Sequence, residues 1–411
     1  MPLSQTCRFC DHNLHDTFID LGMSPLSNSY LTQDDLNKKE AFYPLHVQIC
    51  QECFLVQLPQ FETPENIFCD YAYFSSYAMS WLKHSEDYTQ MMIERFSIDT
   101  HWNVVEIASN DGYLLQYFKA QNIPVLGVEP ALNVAEVALT KGIPTLSEFF
   151  GKALAETLQQ QGKSADLLVA NNVLAHVPDL NDFVAGLKIL LAPQGVLTIE
   201  FPHLLRLIEG NQFDTIYHEH FSYFSLLTVQ QVFAKHNLSI FDVEEISTHG
   251  GSLRIFVKHQ EDTARPITER VAELAASEKR FGLDNIRTYK DFATNIATLK
   301  QALVEFVVEA KKAGKSIAGY GAPAKGNTLL NYCGIDSDSL SFTVDKNPYK
   351  QGRYLPGIRI PVLHPDKIME AKPDYLFVLP WNIKDEIITQ MAFIKDWGGK
   401  FVIPIPELLV V

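Results

Sequence analysis

Val104-Val105-Glu106-Ile107-Ala108-Ser109-Asn110-Asp111-Gly112-Tyr113 is an apolar run that ends in a polar turn. Such a run, with a helix-like stretch close behind it, reads as a strand covered on both faces that feeds a strand-to-helix turn. Three later runs repeat the pattern: Val125-Leu126-Gly127-Val128, Leu167-Leu168-Val169-Ala170 and Val196-Leu197-Thr198-Ile199. Continuous apolar runs separated by amphipathic stretches predict a parallel sheet with helices on both faces. The rhythm sets a doubly wound α/β domain over roughly residues 95–260.

In such sheets ligands bind beyond the carboxyl ends of the strands, and the first strand-to-helix turn normally carries the cofactor. This turn has one glycine, Gly112, so it lacks the G-x-G-x-x-G that lets a pyrophosphate approach the backbone. Glu106 and Asp111 would also repel phosphates. Carboxylates there suit a ligand carrying an ammonium and a sulfonium, and S-adenosylmethionine has both. The second strand ends at Glu129, 23 positions after Glu106, where an acid can hold two ribose hydroxyls. A later strand runs into Asn171-Asn172-Val173-Leu174-Ala175-His176, which puts polar groups at the same cleft. Ser109, Asn110, Gly112, Asn171 and Asn172 therefore join Glu106, Asp111 and Glu129 as cofactor candidates, although each acid alone would pass for a helix cap or a surface charge.

Working outward, residues 263–312 are long, charged and helical, and predict a connector. The α/β rhythm then resumes through Ser316-Ile317-Ala318-Gly319-Tyr320-Gly321, Leu340-Ser341-Phe342-Thr343-Val344-Asp345, Tyr375-Leu376-Phe377-Val378-Leu379 and Lys400-Phe401-Val402-Ile403, which predicts a second Rossmann-like sheet over 313–411. Its first turn, Gly319-Tyr320-Gly321-Ala322-Pro323-Ala324-Lys325-Gly326, is off the dinucleotide spacing but can meet phosphate through backbone amides and Lys325. Asp345-Lys346-Asn347-Pro348-Tyr349-Lys350 and Arg353 add basic and polar groups after the next strand. His249-Gly250-Gly251-Ser252-Leu253-Arg254, near the end of the first sheet, is a candidate for the cleft between domains, with a solvated surface as the default reading of each charge.

Before the first sheet, Cys7 and Cys10 form one Cys-x-x-Cys, and Cys50 and Cys53 form another. Four thiolates on two tight turns suit tetrahedral structural zinc rather than disulfides in a reducing compartment. The 39 residues between the pairs exceed the usual ribbon spacing, but loop closure costs grow slowly with length. A redox dithiol is the competing reading, and Cys69 and Cys333 read as plain buried thiols. Val47-Gln48-Ile49 and Phe54-Leu55-Val56 predict strands around the second knuckle, within a zinc-binding module of residues 1–65. The aromatic stretch Asp70-Tyr71-Ala72-Tyr73-Phe74-Ser75-Ser76-Tyr77 opens the donor domain, 66–262, and is placed to act as a lid.

The 411 residues carry 34 Lys and Arg against 49 Asp and Glu, a formal charge of −15. That balance disfavours a nucleic-acid partner, whose affinity comes largely from neutralised phosphates. No apolar stretch approaches the roughly 18 residues of a membrane span, and the start has no export pattern, so the expected location is the cytoplasm.

The paired cysteines, Leu21-Gly22-Met23-Ser24-Pro25-Leu26-Ser27-Asn28, Asp70-Tyr71-Ala72-Tyr73-Phe74-Ser75-Ser76, Ser109-Asn110-Asp111-Gly112, Tyr217-His218-Glu219-His220-Phe221 and Gly321-Ala322-Pro323-Ala324-Lys325-Gly326-Asn327 occur in that order. Together they resemble the nucleotide-sugar C-methyltransferases, over essentially the whole chain. The resemblance implies methyl transfer from S-adenosylmethionine to a ring carbon beside the ketone of a nucleotide-linked 4-keto-deoxysugar, with the third sugar carbon and thymidine diphosphate as family expectations. It also implies nucleotide contacts from Lys325, Asn327 and Tyr349.

Carbon becomes nucleophilic only after a proton leaves, and a neighbouring ketone allows this by taking up charge as an enolate. The site needs a base near neutral pKa, donors to the oxyanion and an aligned methyl. His220 is the candidate base. Tyr217 and His176 are candidate donors to the oxygen, Glu219 can orient a partner, and Tyr71 can face a sulfonium with its ring. Ser76 belongs with Tyr71 on the donor side. His218 and His220 could instead be core histidines or a second metal pair. Two rival functions stay open: an NAD-dependent nucleotide-sugar oxidoreductase, and a zinc-ribbon binding scaffold.

Overall fold

The computed structural model describes residues 6–63, 74–77 and 79–411. Among them, strands gather into three sheets. The amino-terminal sheet is antiparallel: β1 (Asp16–Ser24), β2 (Tyr43–Ile49) and β3 (Val56–Gln57). Its fourth strand, β9 (Ser222–Tyr223), comes from far along the chain and pairs with β3. The segment after Tyr217–His220 is thereby stitched into the cysteine-bearing module.

The central sheet contains β4 (Val104–Ile107), β5 (Val125–Val128), β6 (Thr145–Leu146), β7 (Ala165–Val169), β8 (Leu191–Pro202), β10 (Leu238–Ile246) and β11 (Ser252–His259). Their spatial order is β10-β11-β8-β7-β4-β5-β6. From β8 to β6 the pairing is parallel, and β11 runs antiparallel to both its neighbours. The order turns back on itself at β4 and β7, and such a switch point opens a crevice at the carboxyl ends of the strands. All four residues of β4 are buried, which is why its sequence does not alternate.

The third sheet has order β14-β13-β12-β15-β16-β17, from β12 (Ile317–Tyr320), β13 (Thr343–Val344), β14 (Val362–Leu363), β15 (Tyr375–Val378), β16 (Lys400–Ile403) and β17 (Leu409–Val410). It is parallel except for β17. Between the two α/β sheets run the helices Glu269–Phe281 and Ile286–Lys312. The second buries Tyr289, Phe292, Ile296, Leu299, Leu303 and Val307, a helical stripe at three- and four-residue spacing. Phe292 stacks on Phe18 of β1 at 4.8 Å, so this helix braces the amino-terminal sheet as well as joining the other two. No helix among the described residues is long and apolar enough to cross a membrane.

Candidate active site and zinc centre

Each Cys-x-x-Cys closes a tight turn: Asp11 N–H donates to the Cys7 carbonyl at 2.9 Å, and Phe54 N–H to that of Cys50 at 3.0 Å. The four sulfurs lie within 4.8 Å of one another. Sulfur–sulfur separations are 3.5 Å for Cys10–Cys50 and 3.6 Å for Cys7–Cys53 and Cys10–Cys53. Tetrahedral zinc with bonds of about 2.3 Å needs edges of roughly 3.8 Å, so the donor set fits. Gln57 Nε2 donates to Cys7 Sγ at 3.2 Å, as an outer partner of a metal thiolate does. Zinc held by these four sulfurs would cross-link the two knuckles and serve structure, all four protein ligands being cysteines. Cys333 is buried apart from it, and Cys69 lies outside the described residues.

A cavity of about 460 Å³ opens at the carboxyl ends of β4, β5 and β7, with walls from all three sheets' domains. Asn28 comes from the amino-terminal module; Asn110, Glu129, Asn171, Asn172, His176, Tyr217, Glu219 and His220 come from the central domain; Lys325 and Lys350 come from the third. The turn after β4 is tightly wound, with Ala108 and Asn110 at φ +55° and +49° and Gly112 at +75°. A side chain at Gly112 would strain that conformation and meet Ile143 at 2.3 Å.

On the donor side, Glu129 is buried and accepts backbone N–H bonds from Asn110 at 3.0 Å and Ala131 at 2.9 Å. Burial raises its proton affinity, and raises that of Glu106 well above the carboxylate range. Oδ1 of Asn171 and Nδ2 of Asn172, both in the cavity lining, are buried without a hydrogen-bond partner, one acceptor and one donor left for a polar occupant. Ile107, Val128, Pro130, Phe149, Phe150 and Phe183 form an apolar wall beside them that suits a flat base. These residues fit S-adenosylmethionine. Ser109, Glu106, Asp111 and Gly112 shape the turn from behind the cavity wall. Asp111 is paired with Lys141, whose Nζ also donates to Ser76 Oγ at 2.9 Å. Tyr71 lies outside the described residues.

On the acceptor side, a turn closed by His220 N–H to the Tyr217 carbonyl at 2.9 Å lets Tyr217, Glu219 and His220 all face one space. A strand would have split them between two faces. The His220 ring lies 4.0 Å from that of Tyr217 and 4.7 Å from that of His176. His220 Nδ1 donates to the Thr215 carbonyl at 2.7 Å, so that nitrogen holds the proton and Nε2 is the acceptor of the neutral ring. Burial, helped by His176, pulls its pKa well below the usual histidine value. His176 is lowered to about 4 by burial. Glu219 accepts from Asn28 Nδ2 at 2.7 and 2.9 Å, and burial carries its pKa up to about 7 against the opposing pull of Asn28 and Lys350. His218 sits apart, with Nε2 3.2 Å from the Pro44 carbonyl.

Lys325 Nζ donates to the His249 carbonyl at 3.0 Å, and Lys350 Nζ to that of Ala322 at 2.8 Å. Of the other acceptor-side candidates, Asn327 is buried away from the cavity lining, while Tyr349 is half exposed and stacks on Phe74 at 5.7 Å. Arg353 donates to the Tyr349 carbonyl. Arg254 is held by Glu200 at 2.6 Å and Glu244 at 2.8 Å, beneath the sheet rather than in the cleft. Trp81 lines the cavity without a signal in the sequence, His249 lines it as expected of the stretch it opens, and Asn28 and Lys350 line it from stretches that gave them no role of their own.

Three families match consecutive parts of the chain: a zinc binding domain at residues 7–68, a methyltransferase domain at 81–243, and the C-methyltransferase C-terminal domain at 247–406. The C-methyltransferase NovU of Streptomyces niveus is 36% identical over 407 residues, covering 98% of this chain and 96% of that one. Among solved structures, magnesium protoporphyrin IX methyltransferase from Synechocystis PCC 6803 with bound SAM is 14% identical, covering 43% of this chain and 78% of its own, at a TM-score of 0.33. A S-adenosylmethionine-dependent methyltransferase from Clostridium acetobutylicum is 10% identical, covering 43% and 92%, at 0.35. With its four-cysteine centre, its donor cleft and a relative matched from end to end, the chain belongs to the zinc-containing, S-adenosylmethionine-dependent C-methyltransferases.

Proposed function

We propose that the acceptor is a nucleotide-linked 4-keto-deoxysugar, methylated on the carbon beside its ketone at the third sugar position, with thymidine diphosphate as the nucleotide. The observation that carries this reading is His220: Nδ1 is committed to the Thr215 carbonyl, and burial keeps the ring neutral, with Nε2 ready to accept a proton. A neutral imidazole takes a proton from carbon only where the electron pair left behind is stabilised, as a neighbouring ketone stabilises it.

In this reading Nε2 of His220 takes the α proton and the C–H electron pair moves through carbon to the ketone oxygen. The phenol of Tyr217 donates to that oxygen, while the one N–H of the neutral His176 ring is committed to the Glu219 carbonyl. Bound S-adenosylmethionine supplies a methyl group made electrophilic by its sulfonium. Glu129, which lines the donor half, holds the ribose, and Glu106 supports the turn behind it. An ionised Glu219 offsets the charge His220 acquires in a buried place. Lys325 and Lys350 are suited to the diphosphate. Ser109, Asn110, Asp111, Gly112, Asn171 and Asn172 shape the donor half. The Streptomyces niveus relative supports carbon as the methyl acceptor. An NAD-dependent oxidoreductase is disfavoured because neither strand-to-helix turn carries the dinucleotide glycine spacing.

The test is incubation with S-adenosylmethionine and a panel of thymidine- and uridine-diphosphate 4-keto-6-deoxyhexoses, read by mass spectrometry and NMR. The expected product gains one methyl on the carbon next to the ketone. Methylation on oxygen or nitrogen, or turnover of sugars lacking the ketone, would defeat the reading.

A further inference from the structure

Among the described residues, the amino-terminal module reaches into the acceptor half of the cavity through one side chain, Asn28. Its Nδ2 lies 2.7 Å from Oε1 and 2.9 Å from Oε2 of Glu219. An ionised carboxylate only accepts, so one amide facing both oxygens matches the charged form. The loop bearing Asn28 is fixed on both sides. Ser27 Oγ lies 3.3 Å from Thr328 Oγ1, and the Tyr30 hydroxyl donates to the Ala322 carbonyl. Asn28 is therefore aimed by anchors on the third domain. The backbone following Glu219 is held independently, since β9 pairs with β3 and Leu58 N–H donates to the Phe221 carbonyl at 3.0 Å.

We propose that Asn28 is a positioning residue for the transfer reaction: it holds Glu219 ionised and oriented in the cavity, which makes the zinc-stapled module part of the active site rather than only a support. The inference concerns Asn28 and Glu219 alone and uses the proposed reaction only for the role of the charge. Other groups acting on Glu219 are Lys350, which favours its ionised form, and the His176 ring, which bonds to its backbone carbonyl. Tyr30 also feels its charge. None of these replaces a donor that meets both oxygens. Loss of Asn28 leaves Glu219 buried and easier to protonate.

The experiment is a pH titration of the full-length, zinc-loaded protein, following the protonated-carboxyl infrared band that is present in wild type and absent in Glu219→Gln. No substrate is needed, so the outcome is separate from the identity of the acceptor. Asn28→Leu is expected to move the Glu219 titration to higher pH by about one unit, a tenfold change in proton affinity. Asn28→Asp keeps the shape, replaces a donor by a like charge, and is expected to move it further in the same direction. Melting temperature and zinc content identify any variant that fails to fold, and either variant suffices. In activity assays the Asn28 changes are expected to lower kcat while leaving the KM for S-adenosylmethionine within twofold, and to have no further effect in a Glu219→Gln background. An unmoved titration in a folded variant, or full additivity with Glu219→Gln, would overturn the proposal.

Discussion

Lys141 Nζ lies 3.1 Å from Oδ2 of Asp111 and 2.9 Å from its backbone carbonyl, so one lysine both neutralises and clamps the turn that follows β4. Asp111 is almost wholly buried, and its second oxygen has no hydrogen-bond partner. Asp111 therefore adds no uncompensated charge to the donor half, where Glu129 is the acid that lines the cavity.

Lys141→Met should be destabilising by about 2 kcal/mol, because it leaves a buried carboxylate unpaired. Restoring neutrality with Asp111→Asn in the same chain should recover at least half of that loss. Denaturant melts of the two variants against wild type check this. Equal stability of wild type and Lys141→Met would show that the pair contributes nothing to folding.

Zinc removal should reach the chemistry as well as the fold. Four thiolates tie two knuckles whose module also supplies Asn28 and the partner strand for β9. Chelation, or Cys7→Ser, is expected to cost at least about tenfold in turnover and to lower the melting temperature. Metal analysis alongside activity is the check. Full activity of a metal-free, folded protein would contradict it.

The pH profile has a defined sign. Burial raises Glu219 to about 7, so this group is protonated below that pH and ionised above it. His220 stays neutral throughout, since its pKa is driven well below the histidine range. Turnover should therefore fall as pH drops through about 7, and the limb belongs to Glu219. Glu219→Gln should remove the limb and lower the plateau by about 10². A limb that persists unchanged in Glu219→Gln assigns it to another group.

Gly250 has φ +94°, and a β carbon there would lie 2.6 Å from the Trp381 ring. Trp381 also donates to buried Asp214 at 2.7 Å and lies under Lys325. Gly250→Ala combines backbone strain with displacement of that ring, and should cost about 2 kcal/mol and weaken nucleotide-sugar binding about tenfold. Calorimetric titration with a nucleoside diphosphate sugar checks it, and unchanged affinity would contradict it.

Local sequence carries much of this architecture. Buried parallel strands are continuous apolar runs, so β4, β5, β7 and β8 announce themselves, as do β12 and β15 in the third sheet. Paired cysteines announce a metal centre because tetrahedral ligation constrains spacing. Cross-strand register is invisible to the same reading. Arg254 looks like a cation available to the cleft, yet antiparallel pairing sets it opposite Glu200 on β8 and Glu244 on β10. Those two acids are 54 and 10 residues away in the chain, and no periodicity links them to it. The role of Asn28, which closes the Leu21–Asn28 stretch, and that of Lys141 escape notice for a related reason. An amide in a loop and a lysine at a helix end have no local pattern, and their partners, Glu219 and Asp111, are brought to them only by the packed fold. Within Tyr217-His218-Glu219-His220, the residue types were readable but the turn that unites three of them was not.

The central claim, proton removal from carbon by His220, is tested most directly by hydrogen exchange. Wild type and His220→Asn are incubated in deuterium oxide with a thymidine diphosphate 4-keto-6-deoxyhexose, and with S-adenosylhomocysteine to fill the donor site. Wild type should wash deuterium into the position beside the ketone, and His220→Asn should do so at least about 10²-fold more slowly. Exchange at the wild-type rate in a folded His220→Asn protein would contradict the account.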